Sequence, residues 1–234
     1  MSDRNISSLS SQAVRTRSLL RNTYLWMTGG LALTGVVAFG VASNQAVVQA
    51  LVSNMILFFG LIVGELILVI YLSRRIMTLS PGAAVGGFAL FAALNGVTLS
   101  LIFLAYTGTA IARVFFITAG TFAGVSLYAA TTRRDLSGIG QYLFMGLIGI
   151  IIASLVNFFL RSETLYWIIS YIGVAVFVGL TAYDTQIIKR WSDQQGDSLA
   201  EADFMRLSIL GALKLYLDFI NLFLFFLRIF GRRR

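Results

Sequence analysis

Long apolar stretches with short polar connections constrain this chain more than any other feature. Seven stand out: Tyr24–Ser43, Met55–Ser73, Ala83–Tyr106, Ile111–Thr131, Gln141–Leu160, Leu165–Ile188 and Leu207–Phe230. Each is close to the roughly 20 residues that carry a helix across a bilayer. A lipid-exposed span must satisfy its own backbone hydrogen bonds, so runs this long are helical, and the period-2 alternation of a membrane barrel is absent. Charged residues make up 12% of the 234 residues, about half the ~25% usual in a soluble domain. The expected fold is an all-α polytopic membrane protein: a polar N-terminus over 1–22, one seven-helix transmembrane domain over 23–231 and a basic tail over 232–234. The apolar run after the N-terminus continues past Ala42 with no small-residue cleavage signal, so it reads as a first crossing and not as a removed leader.

The net charge of +8 does not point to nucleic acid, because the basic residues are spread over short loops instead of lining a groove. They fit the excess of Lys and Arg kept on the cytoplasmic side of a membrane. With the N-terminus in the cytoplasm, Arg4, Arg15, Arg17, Arg21, Arg74, Arg75, Arg133, Arg134, Lys189, Arg190 and Arg206 fall inside, while the first three outer loops carry only Arg113 and Arg161. Arg232, Arg233 and Arg234 break the pattern. Either the last segment stops short of crossing, or the earlier helices fix the orientation and the tail is tolerated; seven full crossings are expected. The chain has no Cys and no His, which removes disulfides, thiol chemistry, zinc sites and histidine proton relays. No cofactor is expected.

Gly60/Gly64 and Gly120/Gly124 have the spacing that lets helix backbones approach closely. Packing within the helical domain is the expected use, with a dimer face as the alternative. Tyr24, Trp26, Tyr106, Tyr166, Trp167 and Trp191 lie near segment ends, as interfacial anchors do.

Three carboxylates fall inside apolar segments: Glu65, Asp184 and Asp218. An ionised aspartate at the bilayer centre costs roughly 2.5–3.5 kcal/mol on insertion scales, so such groups face protein or water and have a use. Gly211, Lys214, Asp218 and Asn221 recur at i, i+3, i+7 and i+10, one stripe that should face protein. Phe219, Leu222 and Phe226 should point elsewhere. Thr181 lies at i−3 from Asp184, with Tyr183 beside it. Two aspartates on neighbouring helices can share one proton, and the deprotonated pair suits a hard cation such as Ca²⁺.

"GLTAYDTQIIK" (Gly179–Lys189), "LYLDFINLF" (Leu215–Phe223), the ending "LRIFG" (Leu227–Gly231) and "RRDLSG" (Arg133–Gly138) resemble the Bax inhibitor-1 family in its bacterial branch, across essentially the whole chain. The resemblance implies a multi-pass protein of the bacterial inner membrane whose last helix is central, wrapped by the other six. It implies a pH-sensitive Ca²⁺ leak gated by an aspartate pair, here Asp184 and Asp218, with Glu65 in the same polar interior. It further implies an arginine latch near the end of helix 2, for which Arg74 or Arg75 is the candidate. Position 214 departs from the family pattern, being Lys where a small or apolar residue is usual. Its ammonium either pairs with Asp218 at i, i+4, competing with proton sharing and with Ca²⁺, or snorkels to the inner surface.

The partners expected are therefore the lipid bilayer, Ca²⁺ and H⁺. The alternative is a non-catalytic regulator that restrains a partner such as a membrane protease, docking through Lys189–Arg206 or the basic N-terminus. Enzyme readings are not supported. Intramembrane aspartyl proteases want Gly-x-Gly-Asp at the second aspartate, whereas Leu215-Tyr216-Leu217 precedes Asp218. A retinal protein would want a counter-ion in segment 3, whose polar residues are Asn95, Thr98 and Ser100.

Overall fold

The computed structural model describes residues 2–195 and 199–232, with side chains over 19–193 and 199–232. Asp197, Arg233 and Arg234, and the side chains of Arg4, Arg15 and Arg17, lie outside the described residues. The described chain is all-α: α1 (Ser2–Ala42), α2 (Gln45–Ser53), α3 (Met55–Arg75), α4 (Pro81–Leu99), α5 (Ile102–Ala105), α6 (Gly108–Thr131), α7 (Gly140–Leu160), α8 (Glu163–Gln195) and α9 (Glu201–Phe230), with 3₁₀ turns at Ile76–Thr78 and Ser137–Ile139. Seven of these stretches are long and apolar enough to cross a membrane, matching the seven expected crossings.

Helix starts are set by side chains at the connections. Asn44 Oδ1 accepts from the Ala46 and Val47 amides, Asn54 Oδ1 from Leu57 and Ser80 Oγ from Ala83, with Pro81 at the first helical position. Each cap satisfies an amide that has no intrahelical partner. Two elements differ from expectation. The connection after Ala42 contains the short helix α2, held between two Asn caps. The third crossing is broken after Leu99, where Ser100 Oγ turns back to donate to the Val97 carbonyl at 2.6 Å.

The chain divides into two compact units. The first comprises Met1–Ala105 and Ile188–Tyr216, the second Tyr106–Ile187 and Leu217–Arg234. In the first, α1 and α3 pack on α4, and close approach is made where glycine leaves room. A Cβ on Gly96 would sit 2.7 Å from the Thr34 carbonyl oxygen, and one on Gly211 3.1 Å from Thr23. In the second unit α9 supplies rings to a core of aromatic pairs. Phe219 lies 5.5 Å from Phe115 and 5.4 Å from Phe122, and Phe225 lies 5.8 Å from Phe177.

α9 is the central helix by burial. In its most apolar stretch 72% of residues are buried, against 6–28% in the other six crossings. Phe219, Leu222 and Phe226 are buried along with Asp218, so the expected split into a protein-facing polar stripe and outward apolar faces does not hold; the least buried face is the one carrying Lys214, Leu217, Asn221 and Leu224, each half-buried. α9 also ends beside the α7–α8 turn, since Ile229 and Gly231 line the same cavity as Arg161 and Ser162. The seventh helix therefore runs its full length to the end where α7 finishes.

The glycine pairs are a correction. Gly60, Gly64, Gly120 and Gly124 are all exposed, with nothing within 4 Å of where a Cβ would stand. Among the described residues they do not pack helices together. Spacing of this kind permits close approach without saying to what, and here the faces that carry it turn outward.

Candidate functional site

Asp184 lies in α8 and Asp218 in α9, both within the second unit and both buried, at 6% and 4% exposure. The neighbouring polar groups of α8 are spoken for. Thr181 is fully buried and donates to the Phe177 carbonyl at 2.8 Å, while Thr185 Oγ1 lies 3.4 Å from Ser126 Oγ on α6. Gln186 forms a clamp that sequence reasoning missed. Its Oε1 accepts from the Leu136 amide at 2.7 Å, and its Nε2 donates to the Arg134 carbonyl at 2.8 Å. The α6–α7 connection, which carries the Arg-Arg-Asp-Leu-Ser-Gly stretch, is thereby tied to α8 two residues from Asp184.

On α9, Lys214 is half-buried one turn before Asp218, and Asn221 turns its Nδ2 back to the Leu217 carbonyl at 2.8 Å. Gly211, at the start of the stripe, faces Thr23 and Ile188. At the base of the same helix Arg206 is held by two contacts. Nε donates to the Leu79 carbonyl at 2.6 Å, and a terminal nitrogen pairs with Asp203 at 2.7 Å.

Glu65 belongs to the first unit, where it ends a buried chain of hydrogen bonds. Its carboxylate accepts from Asn95 Nδ2 at 3.1 Å and from the Thr98 hydroxyl. Because the amide of Asn95 points at Glu65, its Oδ1 is left to accept, and Tyr216 Oη donates to it at 3.0 Å. Tyr216 Oη also lies 2.7 Å from Thr34 Oγ1, which is itself 2.8 Å from the Ala92 carbonyl and 2.9 Å from that of Gly30. Tyr216 is fully buried, with its ring edge-on to Phe88 and Phe91 at 5.7 and 5.8 Å. α1, α3 and α9 each contribute one side chain and α4 two, and two neutral donors hold the carboxylate in a fixed direction. Sequence reasoning found Glu65 but neither Asn95 nor Thr98 as its holders, nor Tyr216 as the link to α9. The signal available was that Asn95 and Thr98 lie one turn apart in an otherwise apolar segment.

Arg74 and Arg75 are exposed in the last turn of α3, where cations complement the helix dipole. Among the described residues no three acidic, His or Cys side chains gather in one place. A caged Ca²⁺ takes six to eight oxygens, more than two carboxylates supply.

Comparison with known proteins places these features in a family. The family described as "Inhibitor of apoptosis-promoting Bax1", Bax1-I, matches residues 16–234. The chain is 54% identical over 218 residues to the inner membrane protein YbhL of Escherichia coli K12, covering 93% of each. It is 44% identical to an uncharacterized protein of Borreliella burgdorferi, with 92% of this chain and 94% of that one covered, and 41% identical to one from Deinococcus radiodurans, with 94% and 92% covered. A match over nearly the full length in both directions, together with seven crossing helices and a buried last helix, makes this chain a membrane protein of the Bax inhibitor-1 family.

Proposed function

We propose that the protein is a cation leak channel of the inner membrane, passing Ca²⁺ under control of protons at Asp184 and Asp218. The observation that carries this reading is the pair of buried carboxylates on α8 and α9, inside segments long enough to cross the bilayer and within one compact unit. Membrane-embedded carboxylates mark ion pathways and proton relays far more often than packing. When the pair shares a proton it carries one charge and closes the path. When both are deprotonated they offer oxygens to a hard cation without caging it. Glu65 lines the polar interior of the first unit, and Arg74 or Arg75 serves as the latch. Lys214, a turn from Asp218, sets how readily the pair gives way to Ca²⁺.

The name of YbhL supports an inner-membrane location, and the excess of Lys and Arg on one set of loops supports a cytoplasmic N-terminus. The test is Ca²⁺ entry into proteoliposomes over about pH 6 to 8, with Asp184→Asn and Asp218→Asn in parallel. pH-dependent entry altered by both substitutions is expected. Entry no greater than into protein-free liposomes, for every variant at every pH, removes the channel reading and leaves a regulator that restrains a membrane partner.

A further inference from the structure

The second unit holds a cavity of about 450 Å³ where α7 ends, α8 begins and α9 finishes. Its size is within the roughly 300–1,000 Å³ of small-molecule sites. Two guanidinium groups line it, those of Arg161 and Arg228, together with Tyr166, Trp167 and the single carboxylate of Glu163. Two cations against one anion leave the lining positive, and among the described residues neither arginine forms a salt bridge.

The side chain of Arg228 and the backbone of Arg161 are fixed in place. Arg228 lies over the rings of Tyr166 and Phe225, 5.7 and 5.2 Å from their centres, which holds its planar group by cation–π contact. Arg161 is the one non-glycine residue with positive φ among those described, at φ 51° and ψ 32°. It occupies the position after a helix where glycine is the usual residue, because a Cβ is unfavourable there. The turn around it is locked: the Arg161 amide bonds the Asn157 carbonyl at 2.8 Å, Asn157 Oδ1 accepts from the Ser162 amide at 2.9 Å, and Ser162 Oγ caps α8 at Leu165. The chain thus retains an arginine where backbone geometry favours glycine, and that arginine lines the cavity. With Arg228 and the exposed Arg232 it gathers positive charge at the end of the helices where the positive-inside rule predicts little.

We propose that this cavity is an anion site for a phosphate group, seated between Arg161 and Arg228 against Tyr166 and Trp167. Planar guanidinium forks match phosphate oxygens in pairs, and aromatic side chains at a helix end sit at headgroup depth. The phosphate comes from an anionic phospholipid headgroup or from a soluble phosphate ester. The site is independent of the aspartate pair and does not require the leak.

The experiment is native mass spectrometry of the full-length protein released from detergent, with phosphatidylglycerol, phosphatidylcholine, glycerol phosphate and inorganic phosphate as probes. It is run on the parent chain and on Arg161→Gly, Arg228→Gln and Glu163→Gln, with thermal unfolding measured beside it. Phosphatidylglycerol should be retained over phosphatidylcholine. Each arginine substitution should weaken that retention about tenfold, the scale of one charge-assisted hydrogen bond, and Glu163→Gln should strengthen it. Arg161→Gly should unfold no earlier than the parent, since glycine relieves the left-handed backbone, so its loss of binding is not a loss of fold. Displacement of the lipid by glycerol phosphate or inorganic phosphate at similar concentration identifies a soluble ester as the ligand; retention of the diacyl lipid alone identifies the headgroup. Equal retention of both lipids with no effect of free phosphate, or full retention of phosphatidylglycerol in Arg161→Gly and Arg228→Gln, overturns the site.

Discussion

Replacing Tyr216 with Phe removes one oxygen from the centre of the buried chain that joins α9 to Glu65. The ring remains, and with it the edge contacts to Phe88 and Phe91, so the change is confined to hydrogen bonding. Two losses follow. The bond to Asn95 Oδ1 at 3.0 Å is worth about 0.5–1.5 kcal/mol net for neutral partners. Asn95 Oδ1 is then left without its donor in a half-buried site, which costs about 1–3 kcal/mol. Thr34 loses little, because its hydroxyl still reaches the Ala92 and Gly30 carbonyls. A destabilisation of about 2 kcal/mol is expected, or roughly 4–8 °C in midpoint for a chain of this size. The assay is the fraction of monodisperse protein surviving a temperature ramp in detergent, read by size exclusion. A cycle with Asn95→Leu isolates the link. The double variant should be more stable than the sum of single losses predicts, by about 1 kcal/mol, because Asn95→Leu also removes the orphaned acceptor. A Tyr216→Phe midpoint within 1 °C of the parent, or strict additivity in the cycle, refutes the reasoning.

Further outcomes are expected elsewhere. Gln186→Ala removes both bonds that tie Arg134 and Leu136 to α8 and should lower stability by about 2 kcal/mol, with faster proteolysis at the α6–α7 connection as a second readout. Gly96→Ala gains helix propensity of about 1 kcal/mol, but its Cβ would stand 2.7 Å from a backbone oxygen of α1; overpacking of about 1–3 kcal/mol should win, and the midpoint should fall. Gly60→Ala and Gly124→Ala meet open space and should leave the monomer unchanged or slightly more stable on the same ramp. Lys214→Met should shift Ca²⁺ entry to lower concentration if the ammonium competes with the ion at Asp218, as a titration of flux against Ca²⁺ would show.

What could be read from the sequence follows the physics of each element. A crossing needs length and uninterrupted apolar character, both one-dimensional, so all seven spans are legible, with ends that differ from the observed ones by up to six residues. The helix α2 is not, because Asn44 and Asn54 resemble ordinary loop residues until their side chains are seen capping two successive starts. The break after Leu99 carries no Pro or Gly at the break itself. At the site, Glu65 and the two aspartates announce themselves by cost: charge is rare in hydrocarbon. Their holders do not, since Asn95, Thr98 and Gln186 are neutral and cheap, and their role depends on partners 30 to 52 residues away. The glycine pairs misled for the opposite reason, a local spacing whose meaning is decided by which face turns inward.

The burial of α9 bears on how the protein is made. This helix leaves the ribosome after the other six crossings, and it carries Lys214, Asp218 and Asn221 on one stripe. Lipid is a poor environment for that stripe. Until it is synthesised, Phe115, Phe122 and Phe177 have no α9 rings to pack against, and Thr34, Asn95 and Glu65 have no Tyr216. Insertion of the first six spans therefore yields a chain whose interior faces are exposed to the bilayer, and maturation is set by the arrival of the thirty residues of α9. A nonsense codon before Leu207 would leave six membrane-competent helices with no folded product, a target for quality-control proteolysis and not a shortened version of the protein.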